Sequence, residues 1–193
     1  MGKRARSNLK YMKKLTLIIL FFSVVFIPVI CQATIHDELY EAARNNDLKK
    51  VDELIADGAD VEARDFAGFT MLFLATNEGN ADMVKIFIDR GANVNARDSS
   101  GKTPLAYAVE ANNTEIAKIL LETEADANPD THDGWTPLMA AVDYDNLEIV
   151  KMLIDKGADV NAKAKSGETA LSIAQAKGYT DIVRLLKGSG TTQ

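Results

Sequence analysis

The chain has 193 residues, 47% of them hydrophobic and 26% charged, a composition typical of a globular protein that argues against an intrinsically disordered chain. Six of its 22 basic residues precede Thr34, which leaves 16 basic against 28 acidic residues and a net charge of −12 from Thr34 onward. An acidic surface of this kind argues against a nucleic-acid partner, because binding a phosphate backbone needs clustered Lys and Arg.

The first 33 residues have the layout of a signal peptide. A nearly unbroken apolar stretch from Leu15 to Ile30 follows the basic pair Lys13 and Lys14. As a helix, these sixteen residues would span roughly 24 Å, less than the roughly 30 Å of a bilayer's hydrocarbon core. We therefore expect removal rather than anchoring, and the small residues before the bond that follows Ala33 predict cleavage there.

Several alternatives stay open for this segment. A lipoprotein peptidase would cut before Cys31, although Ile30 is bulky where a small residue is usual. An uncleaved leader would tether the protein to a membrane, and the apolar stretch could also be a buried core helix. Because the residues from Met12 onward already form a complete bacterial-style leader, translation could start there. Cleavage after Ala33 removes the only cysteine, so the mature protein would depend on packing without disulfides.

The chain then repeats itself every 33 residues. Two series of segments recur at this interval without insertion, and such a fixed period is the signature of stacked repeat units. The first series is GFTMLFLA from Gly68, GKTPLAYA from Gly101, GWTPLMAA from Gly134 and GETALSIA from Gly167. The second is VDELIADGADVEA from Val51, VKIFIDRGANVNA from Val84, AKILLETEADANP from Ala117 and VKMLIDKGADVNA from Val150.

Each unit is predicted to hold two short helices. A threonine can cap the start of each first helix with its hydroxyl, and Pro104 and Pro137 then stand where a helix needs no amide hydrogen. Leu and Ala with i, i+3 spacing mark the buried stripe of the first helices. The capping threonines are Thr70, Thr103, Thr136 and Thr169. The residues predicted to be buried by the second helices are Val84, Phe87, Ile88, Ile119, Leu120, Val150, Leu153 and Ile154.

Glycines are predicted to end the second helices. Gly58, Gly91 and Gly157 can adopt the left-handed backbone conformation that commonly terminates a helix. Glu124 stands at the corresponding place in the third unit. If the backbone is left-handed there too, the glutamate costs roughly 1 kcal/mol relative to glycine.

This combination of a turn ending in glycine, a Thr-Pro-Leu helix start, an alanine pair and a Gly-Ala helix stop resembles the ankyrin repeat over about residues 35–187. The resemblance implies an all-α solenoid of about five helix-turn-helix units joined by β-turn or hairpin loops. The first unit lacks the Gly-x-Thr-Pro start and is more charged, as expected of an end unit that meets water. The ankyrin-repeat domain is expected at 34–187, with units at 35–64, 65–97, 98–130, 131–163 and 164–187 and a disordered tail at 188–193.

Catalytic and metal-binding motifs are absent from the sequence. Its two histidines, His36 and His132, lie three units apart, and no phosphate loop or metal-ligand spacing occurs. Acidic pairs such as Asp143 and Asp145 need an enclosing pocket to act as acid and base, whereas a solenoid offers an open groove. We therefore predict a protein that is not an enzyme and needs no cofactor or metal.

The resemblance also implies where a partner binds, since ankyrin proteins contact other proteins with their turn tips and the exposed side of their first helices. Phe66, Phe69 and Trp135 are large aromatics at predicted tips, and Tyr144 joins them on a helix; interface hot spots favour such rings. Alternatively, these rings fold over neighbouring turns and shield the core. The predicted partner-binding residues are Phe66, Phe69, Asn77, Lys102, Glu110, His132, Trp135, Asp143 and Tyr144.

Together these features predict an exported protein, periplasmic or secreted, that binds another protein as a monomer. Its negative charge favours a basic partner. Two alternatives remain: a membrane-tethered scaffold with an uncleaved leader, and a secreted effector that acts on host proteins.

Overall fold

The computed structural model describes residues 35–65, 68–129 and 132–190. Within these ranges the chain forms helices and no strand, so the predicted all-α repeat solenoid is confirmed. The predicted leader and Phe66 lie outside the described residues. The helices are α1 (35–44), α2 (Leu48–Ala56), α3 (Met71–Asn77), α4 (Ala81–Asp89), α5 (Pro104–Glu110), α6 (Thr114–Glu122), α7 (Pro137–Asp143), α8 (Leu147–Asp155), α9 (Ala170–Lys177) and α10 (Thr180–Gly188).

The helices form two layers. The first helices α3, α5, α7 and α9 stack on one another, and the second helices α2, α4, α6, α8 and α10 form the layer behind them. Each first helix also packs against the second helix of its own unit. A solenoid of this kind places every unit against its sequence neighbours only, so a residue's register within the repeat determines which layer and face it occupies.

The core lies between the two layers. Leu72, Leu105 and Leu138 on the first helices are at most 1% exposed, and Val84 and Val150 on the second helices are fully buried. Ile88, Ile119 and Ile154, which were predicted to be buried, are partly buried and pack against the core. Only one side of a nine-residue helix faces the core. On α4, α6 and α8 that side includes Met83, Ile116 and Ile149 rather than the three isoleucines named above.

Three of the four predicted threonine caps are present. The hydroxyls of Thr103 and Thr136 accept hydrogen bonds from amides in the first turn at 3.3 and 3.2 Å, and Thr169 forms a capping box. The prediction is wrong for Thr70, whose buried hydroxyl makes no cap and has no hydrogen-bond partner among the described residues. Its backbone, at φ −86° and ψ 173°, is extended like that of Thr136, so the class of backbone conformation does not account for the missing cap.

Left-handed residues end the second helices as predicted. The φ angles of Gly58, Gly91 and Gly157 are +100°, +87° and +83°, and Glu124 is also left-handed at +68°. A second left-handed series, which was not predicted, follows the first helices and includes Asn and Asp as well as Gly. Asn and Asp tolerate this conformation better than most residues. Its members are Asn46, Gly79, Asn112, Asp145 and Gly178.

Asparagine side chains connect successive units at the turns that end the second helices. The Asn128 side chain accepts a hydrogen bond from the Asp159 amide at 2.7 Å and donates one to the Gly157 carbonyl at 2.9 Å. Asn95 makes the same pair of bonds to Asp126 and Glu124, at 2.7 and 3.2 Å. These bonds satisfy backbone groups that the turns leave without helical partners.

The last unit extends beyond its expected end at Lys187. Helix α10 continues to Gly188, and the Ser189 amide donates to the carbonyls of Leu185 and Leu186. The helix therefore ends one residue beyond the expected boundary and a turn follows at 189–190, and residues 191–193 lie outside the described part. No helix in the described ranges is long and apolar enough to cross a membrane.

Candidate partner-binding surface

The turns and first helices of the second, third and fourth units form one face of the solenoid, and it carries two depressions. The first, the aromatic pocket, lies along α3, with Tyr40 of α1 and Tyr107 of α5 in its walls, and has a volume of about 90 Å³. The second, the tryptophan groove, lies between α5 and α7 and has a volume of about 250 Å³. Six of the nine predicted contact residues line one or the other: Phe69, Asn77, Lys102, Glu110, His132 and Trp135.

Three rings build the wall of the aromatic pocket. The centroids of Phe69 and Phe73 are 5.3 Å apart, and the Tyr107 ring meets each of them edge-on at 5.6 Å. Phe69 is half-buried, and its ring lies against Phe73 and lines the pocket. Asn77 is exposed at the rim of this pocket.

A carboxylate fixes the orientation of the Tyr107 ring. The Tyr107 hydroxyl donates a 2.8 Å hydrogen bond to Asp98, which also accepts bonds from the Ser100 hydroxyl and from the amides of Ser100 and Lys102. Burial, this hydrogen bond and the nearby charges of Asp98 and Glu110 raise the pKa of Tyr107 to about 12. Burial disfavours the charged form of Asp98, but the hydrogen bonds outweigh it and lower the pKa of that carboxyl. Asp98 is therefore an ionised acceptor that holds the turn against α5.

An ion pair lines the tryptophan groove. The Lys102 ammonium lies 2.7 and 2.8 Å from the two carboxylate oxygens of Glu110, and 5.6 Å from the centroid of the Tyr107 ring. Its side chain is 40% exposed and that of Glu110 is 33% exposed, so both remain accessible from the groove. These two predicted residues thus act as a pair.

Trp135 and His132 form the opposite side of the tryptophan groove. Trp135 is half-buried against the core, and its amide donates a 3.0 Å hydrogen bond to Asp133. His132 is exposed and lies against the backbone of the preceding turn, since a Cβ atom on Gly101 would stand 2.9 Å from its Nδ1. Gly101 has a φ of +86°, so this turn requires glycine both for its conformation and for the approach of the imidazole.

The remaining predicted residues do not line these two depressions. Tyr144 is 49% exposed at the end of α7. The Asp143 carboxylate pairs with Lys177 at 2.7 Å, and this hydrogen-bonded pairing raises the pKa of Lys177. No group of three or more His, Cys, Asp or Glu side chains in the described residues could hold a metal ion.

The sequence interpretation missed most of the aromatic pocket. Tyr40 and Phe73 share one register of the repeat, at which the later units carry Ala106, Met139 and Ser172. Tyr107 stands where the next unit has an alanine. These large rings stand at repeat positions where other units carry small or aliphatic residues. A position-by-position comparison of the units would therefore have indicated the pocket.

A family model described as ankyrin repeats (3 copies) matches the chain over residues 39–131 and again over 123–192. The two matches together extend across most of the 193 residues. Among curated proteins, none matches the chain.

Proposed function

Since the chain belongs to the ankyrin-repeat family, whose repeats mediate protein–protein interaction, we propose that it is a non-enzymatic protein that holds a partner protein on this face. The contact surface consists of the aromatic pocket and the tryptophan groove. A partner here would bury rings that the isolated chain leaves half-exposed.

The observation that carries this proposal is the grouping of side chains in the tryptophan groove. Lys102, Glu110, His132 and Trp135 come from two successive units and line one depression. Interface hot spots are enriched in tryptophan, whose ring offers a large apolar area, and charged side chains beside it can fix the orientation of a partner. Catalysis would instead need an enclosing site that perturbs its acids and bases.

The charge of the chain favours a basic partner. From Thr34 onward the net charge is −12, so the long-range field attracts cationic surfaces and repels anionic ones. Such an attraction is screened by salt, with a Debye length of about 8 Å at physiological ionic strength. We expect association with the partner to slow as the salt concentration rises.

The test is capture of partners from the native compartment by wild type and by matched variants. Trp135→Ala, Phe69→Ala and His132→Ala alter the proposed face, and His132 is exposed, so its replacement leaves the core intact. Lys118→Ala, on the outward side of α6, is the control. Loss of a specific partner by the first three variants, with retention by the control, is the expected result. Equal recovery of every partner by all variants would reject the proposed face.

We further propose that the protein is exported by its leader and released into the periplasm or the medium as a monomer. The support is the basic pair, the short apolar stretch and the small residues before Thr34. Intact mass and N-terminal sequencing of the exported protein should give a mature chain that begins at Thr34. A longer chain that stays with membranes after a carbonate wash would instead indicate the tethered scaffold, and capture of a host protein would indicate the effector.

A further inference from the structure

We propose that the aromatic pocket binds the methylated ammonium group of a lysine side chain on the partner. A depression lined by several rings and one carboxylate holds such a group by its positive charge and by its methyl surface together. This inference rests on the proposed function and adds to it the class of side chain that the pocket recognises.

Aromatic rings from three helical regions line the pocket. Tyr40 lies on α1, Phe69 in the turn before α3, Phe73 on α3 and Tyr107 on α5. The plane of Tyr107 stands at 89° to the planes of both phenylalanines, so these three rings form a corner instead of a flat patch. In a corner of two perpendicular rings, a group can contact the faces of both. The negative charge of ring faces attracts a cation, and aromatic cages of this kind bind methylated ammonium groups.

The charge of the lining also favours a cation. Among the described residues that line the pocket, Asp65 alone is charged. Its carboxylate is held at the pocket because it accepts a 2.9 Å hydrogen bond from the Phe69 amide. The net charge of −12 from Thr34 onward adds a long-range attraction for a basic partner.

Two of the rings already lie close to cations of the chain itself. The Arg44 guanidinium is 5.9 Å from the centroid of Tyr40, and the Lys102 ammonium is 5.6 Å from that of Tyr107. Neither cation lines the pocket, and the charge of Lys102 is paired with Glu110. These contacts indicate that the rings at this surface accept positive charge.

The volume of the pocket fits a small group. It is about 90 Å³, whereas a cavity of ~150 Å³ holds benzene, which has six heavy atoms. In proportion, the pocket takes about four heavy atoms, which is the number in a trimethylammonium group. A phenyl or indole ring is too large for it.

Methylation makes a lysine compatible with these walls. An unmodified ammonium has three N–H donors, and it loses their hydration when it enters a lining made mostly of rings with Met71 and Leu74. Methyl groups replace those donors with apolar surface and keep the positive charge. A methylated lysine therefore retains the attraction to the rings and to Asp65 without leaving donors unpaired.

Synthetic peptides provide the test. Ac-GAKAG-amide is prepared with trimethyllysine, with unmodified lysine, and with a neutral isostere in which carbon replaces the charged nitrogen. Binding to the purified protein is measured by isothermal titration calorimetry. We expect the trimethyllysine peptide to bind about tenfold more tightly than either of the others, because the isostere has the shape without the charge and the unmodified lysine has the charge without the methyl surface.

Protein variants assign this preference to the pocket. The readout is the ratio of the Kd of the isostere peptide to that of the trimethyllysine peptide, which compares two ligands on one variant. Tyr40→Leu removes a ring and should lower the ratio about threefold or more, whereas Tyr40→Phe keeps the ring and should keep the ratio. Asp65→Asn retains an oxygen for the Phe69 amide, removes the charge and should also lower the ratio. Asp126→Asn, at an exposed turn outside the pocket, makes the same change in net charge and should leave the ratio unchanged.

Equal binding of the three peptides, tighter binding of the isostere or of the unmodified lysine, or no binding at all would overturn the inference. So would a ratio that Tyr40→Leu does not change, or that Asp126→Asn lowers as much as Asp65→Asn does. If capture of the native partner still depends on Trp135 and His132 in those cases, the proposed function stands and only the inference about the pocket fails. If the peptides behave as expected but capture is indifferent to those residues, the proposed function fails instead.

Discussion

The left-handed Glu124 makes a quantitative prediction: Glu124→Gly should stabilise the protein. The backbone at this position has a φ of +68°, and the equivalent positions in the four other units are the left-handed glycines Gly58, Gly91, Gly157 and Gly190. A left-handed conformation costs an L-residue about 1–2 kcal/mol, whereas the greater freedom of glycine in the unfolded chain offsets about 0.4–1 kcal/mol of any gain. The free energy of unfolding should therefore rise by about 0.5–1 kcal/mol.

Thermal and urea denaturation followed by circular dichroism would measure this change. For a chain of this length, about 0.5–1 kcal/mol corresponds to a rise in Tm of about 1–4 °C. The hydrogen bond from Asn95 to the Glu124 carbonyl, 3.2 Å long, involves only the backbone of residue 124 and is kept. Glu124→Ala retains a Cβ atom and should gain little, which separates the backbone effect from loss of the carboxylate.

The reverse substitution is the second control. A Cβ atom on Gly157, whose φ is +83°, would meet no atom within 4 Å, so Gly157→Ala changes only the backbone preference and should lower stability by a similar amount. If Gly157→Ala destabilises while Glu124→Gly leaves the Tm unchanged or lower, the reasoning about the third turn is refuted.

Four further variants test other contacts. Thr70→Val removes a buried hydroxyl with no partner among the described residues and should raise the free energy of unfolding by about 1 kcal/mol. Thr103→Val loses a helix cap at the same register and should lower it by about 1 kcal/mol, so equal urea midpoints would contradict this account. Because the pKa of Tyr107 rises from 10.0 to about 12 on folding, wild type should lose stability between pH 10 and 12, and Tyr107→Phe should lose less over that range in urea titrations. Asn128→Ala removes two hydrogen bonds to the next unit and should lower the free energy of unfolding by about 1–2 kcal/mol. Amide hydrogen exchange in the last two units should become faster, and unchanged exchange there would show that these bonds do not stabilise the junction between the units.

Much of this architecture could be predicted from the sequence because a solenoid is close to one-dimensional. Each unit packs only on its neighbours, so the 33-residue period assigns every residue to a layer and a face. The left-handed turns at Gly58 and Gly91 and the cap at Thr103 also depend on local backbone chemistry, which a few residues of sequence specify. For the same reason, Lys102 and Trp135 could be placed at turn tips on one face before their surroundings were known.

Only the tertiary structure decided how side chains from different units meet. The ring of Tyr107 reaches back across the unit boundary to Phe69 and Phe73, and Lys177 pairs with Asp143, 34 residues earlier in the chain. The same holds for Thr70, whose backbone is extended like that of the other capping threonines although its hydroxyl makes no cap. The repeat period determines which positions are neighbours, but the choice among rotamers depends on the volume and hydrogen-bonding groups that each particular neighbour presents. The aromatic pocket arises from those pairwise choices, so it became visible only in the folded chain.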